Sequence, residues 1–517
     1  MSNLSQHVRE LGRNSPQAKY AITDIQRLER FLILGSEGGT YYASERKLTV
    51  DNAETVKRLA QNDASGGEAD ATIVQISDAG RAPKNDAALL ALAVLVKYGT
   101  PMVRAEALAA LPKVARIGTH LFHFLEYASP LEIGWGRSFR RAIGEWYTSK
   151  GEVQLARQLV KYQSRDGWSN RDALRLSHPK PLNEEQQALF HWVTKGKGEG
   201  KEWGPENRGI AHVNAFEALK KTNSVKEAAQ LITDFRLPRE AVPTQFLNDP
   251  GIWEVLLQDM KLEAMVRNLG KMTSVGILGP MSDNEDLVVN KLLSTDDIKA
   301  ARMHPIKLLT ALLTYKRGAG LKGSLTWTPN QRVVTALEQA FYLAFGAITP
   351  TNKRILKAID VSGSMTHGEC AGAPGISPRV GSALMAMVTA RTESRYHFMG
   401  FSAGFIPLDI GPEMRLIDVV RYIDSKPYSA TDCSLPMLWA LFFFNDTATT
   451  EIYTDNETNY HQIPPMTALK RYQDQMGIPA KLVVVGMTST QASIADPNNP
   501  DCLDVVGFDT AAPEIIS

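Results

Sequence analysis

Through most of the first 345 residues, apolar side chains recur every three or four positions, the spacing of one face of a helix. Met102 to Ala128, MVRAEALAALPKVARIGTHLFHFLEYA, is the clearest stretch, with breaks expected near Pro112 and at Gly118-Thr119. The pattern returns in 137–148 (RSFRRAIGEWYT), 153–164, 252–269, 287–294, 305–316 and 332–345. Helices of this length with short polar breaks and almost no alternating runs predict stacked antiparallel pairs. No strict sequence period accompanies them, so the prediction is a degenerate HEAT-like helical repeat, an α-solenoid. Asn62 to Asp70 and Lys195 to Gly209 read as surface loops, and residues 1–18 as a flexible leader to a body spanning 19–346.

Near Pro350 the pattern changes. Ile355 to Ile359 is a short apolar strand, followed by an apolar helix, Ser382 to Thr392. Tyr396 to Phe401 reads as a strand, Arg415 to Ser425 as a helix, Leu435 to Phe444 as an apolar segment and 466–476 as a helix. Leu482 to Val485 and Leu503 to Val506 close the series. Strand alternating with helix predicts a doubly wound, mainly parallel α/β domain over 347–517, with its working loops at the carboxyl ends of the strands.

Composition narrows the class without naming it. Of 517 residues, 44% are hydrophobic and 22% charged, ordinary for globular protein. Three cysteines (Cys370, Cys433, Cys502) make neither a disulfide framework nor a zinc pattern, which suits a reducing compartment. MSNLSQHVRE lacks the apolar core of a signal peptide. The longest apolar run, Ala87 to Val96, meets Lys97 after ten residues, where a membrane span needs about 20. The expected location is therefore cytoplasmic. The net charge of +1 conceals an asymmetry: 12 Lys and Arg against 18 Asp and Glu from Ala347 onward, 45 against 38 before it. A basic body joined to an acidic domain points to different partners for each.

The sharpest local motif is Asp360-Val361-Ser362-Gly363-Ser364, directly after the strand KRILKAI. Asp-x-Ser-x-Ser places a carboxylate and two hydroxyls on one tight loop, the oxygen ligands a hard divalent ion takes. Further ligands must come from other loops, and Ala430-Thr431-Asp432-Cys433-Ser434 and Thr454-Asp455-Asn456-Glu457 qualify. The three segments together resemble the metal-ion-dependent adhesion site (MIDAS) of von Willebrand factor A domains. By that resemblance Asp360, Ser362, Ser364, Thr431 and Asp455 would surround one divalent cation, Mg2+ by expectation. Such an ion keeps an open position for water or an acidic ligand, which is a binding device. No general base stands with a nucleophile in these loops, and His367 lies in a Gly-rich stretch read as loop. The G-x-G-x-x-G match at Gly318 to Gly323 follows a helix instead of a strand, and the overlapping segment lacks the P-loop lysine.

Nucleic-acid chemistry gathers elsewhere. Lys161, Arg165, Arg171, Arg175, His178 and Lys180 run through a segment interleaved with Tyr162 and Trp168. Lys161 and Arg165 are expected on one helix face, four residues apart. Trp135-Gly136-Arg137 with Arg140 and Arg141 forms a similar cluster. Cations that grip phosphates beside rings that stack bases are how single strands are held. The same spacing also suits a solvated helix face over core aromatics.

Several long stretches resemble the Ro ribonucleoprotein family. They include GSEGGTYY (Gly35 to Tyr42), WGRSFRRAIGEWY (Trp135 to Tyr147), KYQSRDGWSNRDALRLSHPKP (Lys161 to Pro181) and RNLGKMT (Arg267 to Thr273). ARMHPIKLLTALLTYK (Ala301 to Lys316), TDCSLPMLWA, TDNET and IPAKLVVVGMTS complete them, so the likeness runs from about residue 20 to the end. It implies a ring of HEAT-type repeats, the TROVE module, closed by a von Willebrand A domain. It implies small non-coding Y RNAs on a basic outer surface and the single-stranded ends of misfolded RNAs in a central cavity. The family's RNA-contact positions that match are Lys161, Arg165 and His178. Expected roles are RNA quality control and stress response, without catalysis, with an exoribonuclease partner tethered through RNA. Neither DNA nor a membrane is an expected partner. The alternative is a metal-dependent protein-binding scaffold without RNA. A magnesium nuclease is disfavoured, because two-ion phosphate cleavage needs more carboxylates than Asp360 and Asp455.

Two segments depart from the family. His367 to Ser377, between the metal motif and its helix, is longer and richer in glycine. Leu441 to Thr454, LFFFNDTATTEIYT, stands where the family has a polar linker and an apolar strand. Asn445 to Thr454 back-translates without a gap into a common sequencing-library adapter, AATGATACGGCGACCACCGAGATCTAC plus AC, and is read as foreign to the natural protein. The spacing between Ala440 and Asp455 is nevertheless kept. In a central strand Glu451 is then expected to be a buried, unpaired carboxylate, and Glu451→Val to be stabilising. Phe442 to Phe444 are expected to expose an apolar patch.

Overall fold

The structure, a computed structural model, describes residues 23–34, 45–79, 85–196, 207–320, 323–348, 350–370, 373, 375–427, 431–443, 449–454, 463–487, 499 and 501–506. Up to residue 343 these are mostly helical, from Asp24–Leu34 to Gln331–Leu343. Most consecutive helices pack on one another and several on the next but one, the near-neighbour packing of a solenoid. Short polar caps set the corners. Thr100 accepts the Val103 N–H at the start of Pro101–Val114, and Ser224, Asn183, Ser282 and Asn330 cap later helices the same way. Buried and half-buried side chains then tie one layer to the next. Asn85 Nδ2 donates to the Val114 carbonyl at 2.7 Å, Trp146 Nε1 to that of Ala115 at 2.5 Å, and Gln186 Nε2 to those of Thr148 and Lys150, each at 3.2 Å. The end of the body returns to its beginning: Arg302 Nη1 donates to the Ala79 carbonyl at 3.1 Å, across 223 residues of chain.

Two expectations for this body need correction. The expected loop at Asn62 to Asp70 is the first half of a helix, Asp63–Ala79. Gly66 is buried there because a Cβ would come within 2.4 Å of the Val103 side chain, so the glycine permits a close helix crossing and is no sign of a turn. The break expected near Pro112 falls later, since Pro101–Val114 carries the proline inside its last turn, where only one backbone bond is lost. Of Lys195 to Gly209, residues 197–206 lie outside the described residues, while Lys195 ends one helix and Arg208–Lys221 is the next.

A hairpin of β1 (Ser164–Arg165) and β2 (Trp168–Ser169) interrupts the helices. The C-terminal sheet comprises β3 (Ile355–Asp360), β4 (Tyr396–Phe401), β5 (Phe405–Pro407), β6 (Thr449–Thr454), β7 (Lys481–Gly486) and β8 (Cys502–Val506). Its order is β5-β4-β3-β6-β7-β8, all parallel except β5, an edge strand the sequence pattern did not disclose. Chain order runs outward from β3 in one direction to β5, then jumps back to β6 on its other side. The crevice between the carboxyl ends of β3 and β6 is the topological switch point, where open parallel sheets place their sites. The domain docks on the last body helix. Arg415 pairs with Glu338 at 2.5 Å, the Leu416 N–H donates to the Tyr342 hydroxyl at 3.2 Å, and the Arg391 guanidinium lies 5.0 Å from the Tyr342 ring centroid.

β6 is central and buried, yet Glu451 is not unpaired there. In-register Lys357 on β3 meets it at 2.9 Å, both side chains 2% exposed. Tyr453 donates its hydroxyl hydrogen to Glu451 at 2.9 Å, and Lys357 also donates to the Met385 carbonyl at 3.0 Å. Burial lowers the Lys357 ammonium pKa, with Glu451 opposing it, and raises the Tyr453 phenol well above its usual range. Phe442 and Phe443 end the helix Leu435–Phe443, and with Phe444 their side chains lie outside the described residues.

The pair reverses the expected effect of Glu451→Val. Alone, that change should destabilise by about 3–5 kcal/mol, because it strands a buried ammonium. Combined with Lys357→Met it should be neutral or stabilising by about 1–4 kcal/mol, and thermal melts of the single and double variants check this. A second expectation concerns acid. Half-buried His304 accepts the Ile306 N–H through Nδ1 at 3.2 Å and caps Pro305–Arg317, and desolvation of its ring pulls its pKa down to about 4. The unfolded chain then binds the extra proton between about pH 6.5 and 4, so stability should fall as pH drops through that window. His304→Asn should flatten that slope in melts recorded from pH 7 to 4.

Candidate nucleic-acid interface and metal loop

The RNA-directed residues lie on elements that pack together. Helix Glu152–Lys161 ends at Lys161, and the chain enters the β1–β2 hairpin instead of continuing. Lys161 and Arg165 therefore do not share a helix face; Arg165 lies on β1, opposite Trp168 in register. The turn is Asp166-Gly167, with φ of 51° and 79°, the two left-handed residues that a tight hairpin matching strand twist needs. That dipeptide was the available signal, masked by the apolar spacing around it.

Behind the hairpin a buried polar set fixes its base. Asn170 Nδ2 donates to the Tyr162 carbonyl at 2.7 Å, and the Tyr147 hydroxyl donates to Asn170 Oδ1 at 3.0 Å. At the tip, Asp166 meets His123 Nδ1 at 2.5 Å. Half-buried Trp168 lies 6.2 Å from Trp135, which meets Phe139 edge-on at 5.1 Å. Ser169 and Asp172 then form a capping box that starts Asn170–Ser177. His178 ends that helix in the left-handed conformation, and Pro179 packs on Gly144, where a Cβ would come within 3.1 Å.

Lys161, Arg165, Arg171, Arg175, His178 and Lys180 are all exposed, as are Arg137, Arg140 and Arg141 on Arg137–Thr148. Among the described residues, Arg165 alone of these has an acidic side chain within ion-pair distance, Asp166 at 3.4 Å. Residues 135–181 hold ten Lys and Arg against four Asp and Glu, so nearly the whole positive excess of the helical body falls in this one segment.

Of the metal-directed residues, Asp360, Ser362 and Ser364 stand at the switch point, on β3 and the loop that leaves it. Asp360 ends β3 fully buried: Oδ1 accepts the Ser362 N–H at 2.8 Å and Oδ2 accepts the Thr454 hydroxyl at 2.9 Å. The hydroxyls of Ser362 and Ser364 are 2.9 Å apart, Ser362 buried and Ser364 exposed. Thr431 is buried, and the next residue, Asp432, ties its loop to the end of β4 through a 3.0 Å bond to the Ser402 carbonyl. Asp432 also accepts the Ser434 N–H and hydroxyl, a role the sequence did not disclose. Asp455 follows Thr454 directly and lies outside the described residues. The donors brought together are oxygen atoms only, one carboxylate with hydroxyls, and this chemistry fits a hard divalent cation. Cys433 is buried, and His367 is exposed with its ring against the Gly363 carbonyl at 3.2 Å, a loop residue as read.

Asn170→Ala should leave the Tyr147 hydroxyl and the Tyr162 carbonyl without their partner. A loss of about 1–3 kcal/mol is expected, with faster amide exchange confined to the hairpin when measured by hydrogen–deuterium exchange.

The family model described as the TROVE domain matches residues 12–237 and 235–314, and that described as the Ro60 vWA domain matches 354–517. A Deinococcus radiodurans protein named RNA-binding protein RO60 is 42% identical over 512 residues, 98% of this chain and 95% of that one. A Caenorhabditis elegans protein of the same name is 34% identical, over 96% and 88%. The crystal structure of the Deinococcus radiodurans RO (RSR) protein superposes with a TM-score of 0.86, covering 95% of this chain and 98% of that one. With a solenoid and a switch-point sheet matched in order over nearly its whole length, this chain belongs to the Ro60 family of TROVE and von Willebrand A proteins.

Proposed function

We propose that this chain is an RNA-binding protein that works without catalysis. The observation that carries the reading is the exposed row of cations from Lys161 to Lys180, set on a hairpin and helix whose bases are fixed by buried hydrogen bonds. Cations carried on a fixed backbone can neutralise phosphates along a strand, and the half-buried rings of Trp135 and Trp168 stand beside them. Arg137, Arg140, Arg171 and Arg175 extend the contact surface. Both curated relatives bear the name RNA-binding protein.

The finer reading rests on the Ro-like segment KYQSRDGWSNRDALRLSHPKP. Its RNAs are small non-coding Y RNAs and the single-stranded ends of misfolded RNAs, its task is quality control under stress, and an exoribonuclease is reached through the RNA. Asp360, Ser362, Ser364, Thr431 and Asp455 hold a divalent cation, Mg2+ by the hardness of the donors. The exposed side chain of Ser364 supports a second use of this loop, gripping an acidic group of a protein ligand. No described helix is long and apolar enough to cross a membrane.

Lys161→Ala with Arg165→Ala should weaken RNA binding at low salt by about 10-fold and lower the salt slope of log K by about 1–2. Filter binding at several salt concentrations measures both quantities. Unchanged affinity at low salt overturns the assignment.

A further inference from the structure

We propose that Arg379 is the positioning residue of the metal loop and that Asp424 holds it in place. This rests on the divalent-cation reading of that loop. Arg379 stands in the first turn of Pro378–Thr392, 3% exposed, in a helix whose neighbouring positions are apolar and small. Its guanidinium donates to three consecutive carbonyls of the motif: Asp360 at 2.9 Å through Nη1, and Val361 at 3.0 Å and Ser362 at 2.9 Å through Nη2. On its other side Nε lies 3.0 Å from Asp424 Oδ1, at the end of Leu416–Asp424.

The chemistry assigns the role. A loop that must aim one carboxylate and two hydroxyls at a common point has its own carbonyls to satisfy, and water would satisfy them in many conformations. A planar fork with fixed donors satisfies three carbonyls in one conformation only, which a flexible lysine ammonium cannot imitate. The carbonyls of Asp360, Val361 and Ser362 are turned toward the guanidinium, so they are engaged away from any ion the loop holds. The Asp360 carboxylate, whose two oxygens take the Ser362 N–H and the Thr454 hydroxyl, is fixed by separate partners. The loop is thereby clamped at both its carbonyls and its carboxylate. Burying a guanidinium is costly unless its charge is paired, and Asp424 supplies that charge from the partly exposed end of a helix.

Helix Leu416–Asp424 has a second attachment. At its start Arg415 pairs with Glu338 and the Leu416 N–H donates to Tyr342, both on the last helix of the RNA-directed body. One rigid helix of nine residues therefore contacts the body at one end and holds the Arg379 clamp at the other.

Metal binding is the readout. The full chain is titrated with Mn2+ and followed by electron paramagnetic resonance, alongside a metal-free melt of each variant. Wild type should bind and Asp360→Ala should not. Asp424→Asn, changed at a partly exposed carboxylate, should weaken Mn2+ binding by about 10-fold, within the range for groups that orient metal ligands. Asp424→Glu should restore most of it, and Arg379→Lys should lose about 10–100-fold. If wild type binds, Asp360→Ala abolishes binding and a folded Asp424→Asn binds as wild type does, the clamp is overturned while the metal reading stands. If wild type binds no Mn2+, the metal reading falls and the clamp with it. A weakening of Mn2+ binding in Asp424→Asn that Asp424→Glu does not reverse also overturns the clamp, because it reports general loss of packing.

Discussion

A polar group taken out of water has to be paired inside the protein, and that constraint sets the shape of both candidate sites. Asn170 is buried under the β1–β2 hairpin, so its amide must find the Tyr162 carbonyl and the Tyr147 hydroxyl. The hairpin carrying Arg165 is thereby held at one angle to the helix that ends in Lys161. Arg379 is buried beneath the Asp-x-Ser-x-Ser loop, and its guanidinium takes three of that loop's carbonyls with Asp424 beside it. In each case the exposed chemistry is presented by groups that are not exposed. An unmade bond at either place would cost more than the made one contributes, which is why buried polar groups specify geometry so strongly.

The same constraint accounts for the segment read as foreign. A parallel sheet covered on both faces asks for apolar residues in its central strands. Glu451 breaks that rule, and Lys357, opposite it in register, meets it, with Tyr453 closing the set. The pairing makes a carboxylate tolerable in β6 without making it advantageous, since desolvating two charges offsets most of their attraction. Strand geometry therefore places Thr454 at the end of β6, where its hydroxyl reaches Asp360, whatever the origin of the residues before it.

The two halves of the chain divide their charge as they divide their chemistry. The basic excess of the body is concentrated in residues 135–181, on the outer turns of three packed helices and a hairpin. In the acidic domain Asp360 closes β3, at the edge where a parallel sheet leaves its loops free to converge. The contact between the halves is itself mixed: Arg415 with Glu338 at the rim, and Arg391 over the rings of Tyr342 and Phe345 further in.

Periodicity alone separated the helical body from the α/β domain, because apolar spacing is a local property that burial of one face imposes directly. The place of the Asp-x-Ser-x-Ser loop at a strand's end was legible for a related reason: its carboxylate and hydroxyls are adjacent in sequence, directly after an apolar strand. What lay further apart was not legible. Gly66 looked like a turn until Val103, on another helix, explained it. Lys161 and Arg165 looked like helix neighbours until the positive φ of Asp166 and Gly167 turned the chain back. Lys357, Glu451, Arg379 and Asp424 carry no local signal of pairing, because each partner arrives from a different strand or helix. Sequence settles which faces must be buried; only the packed structure decides which polar groups are buried with them and which partners they find.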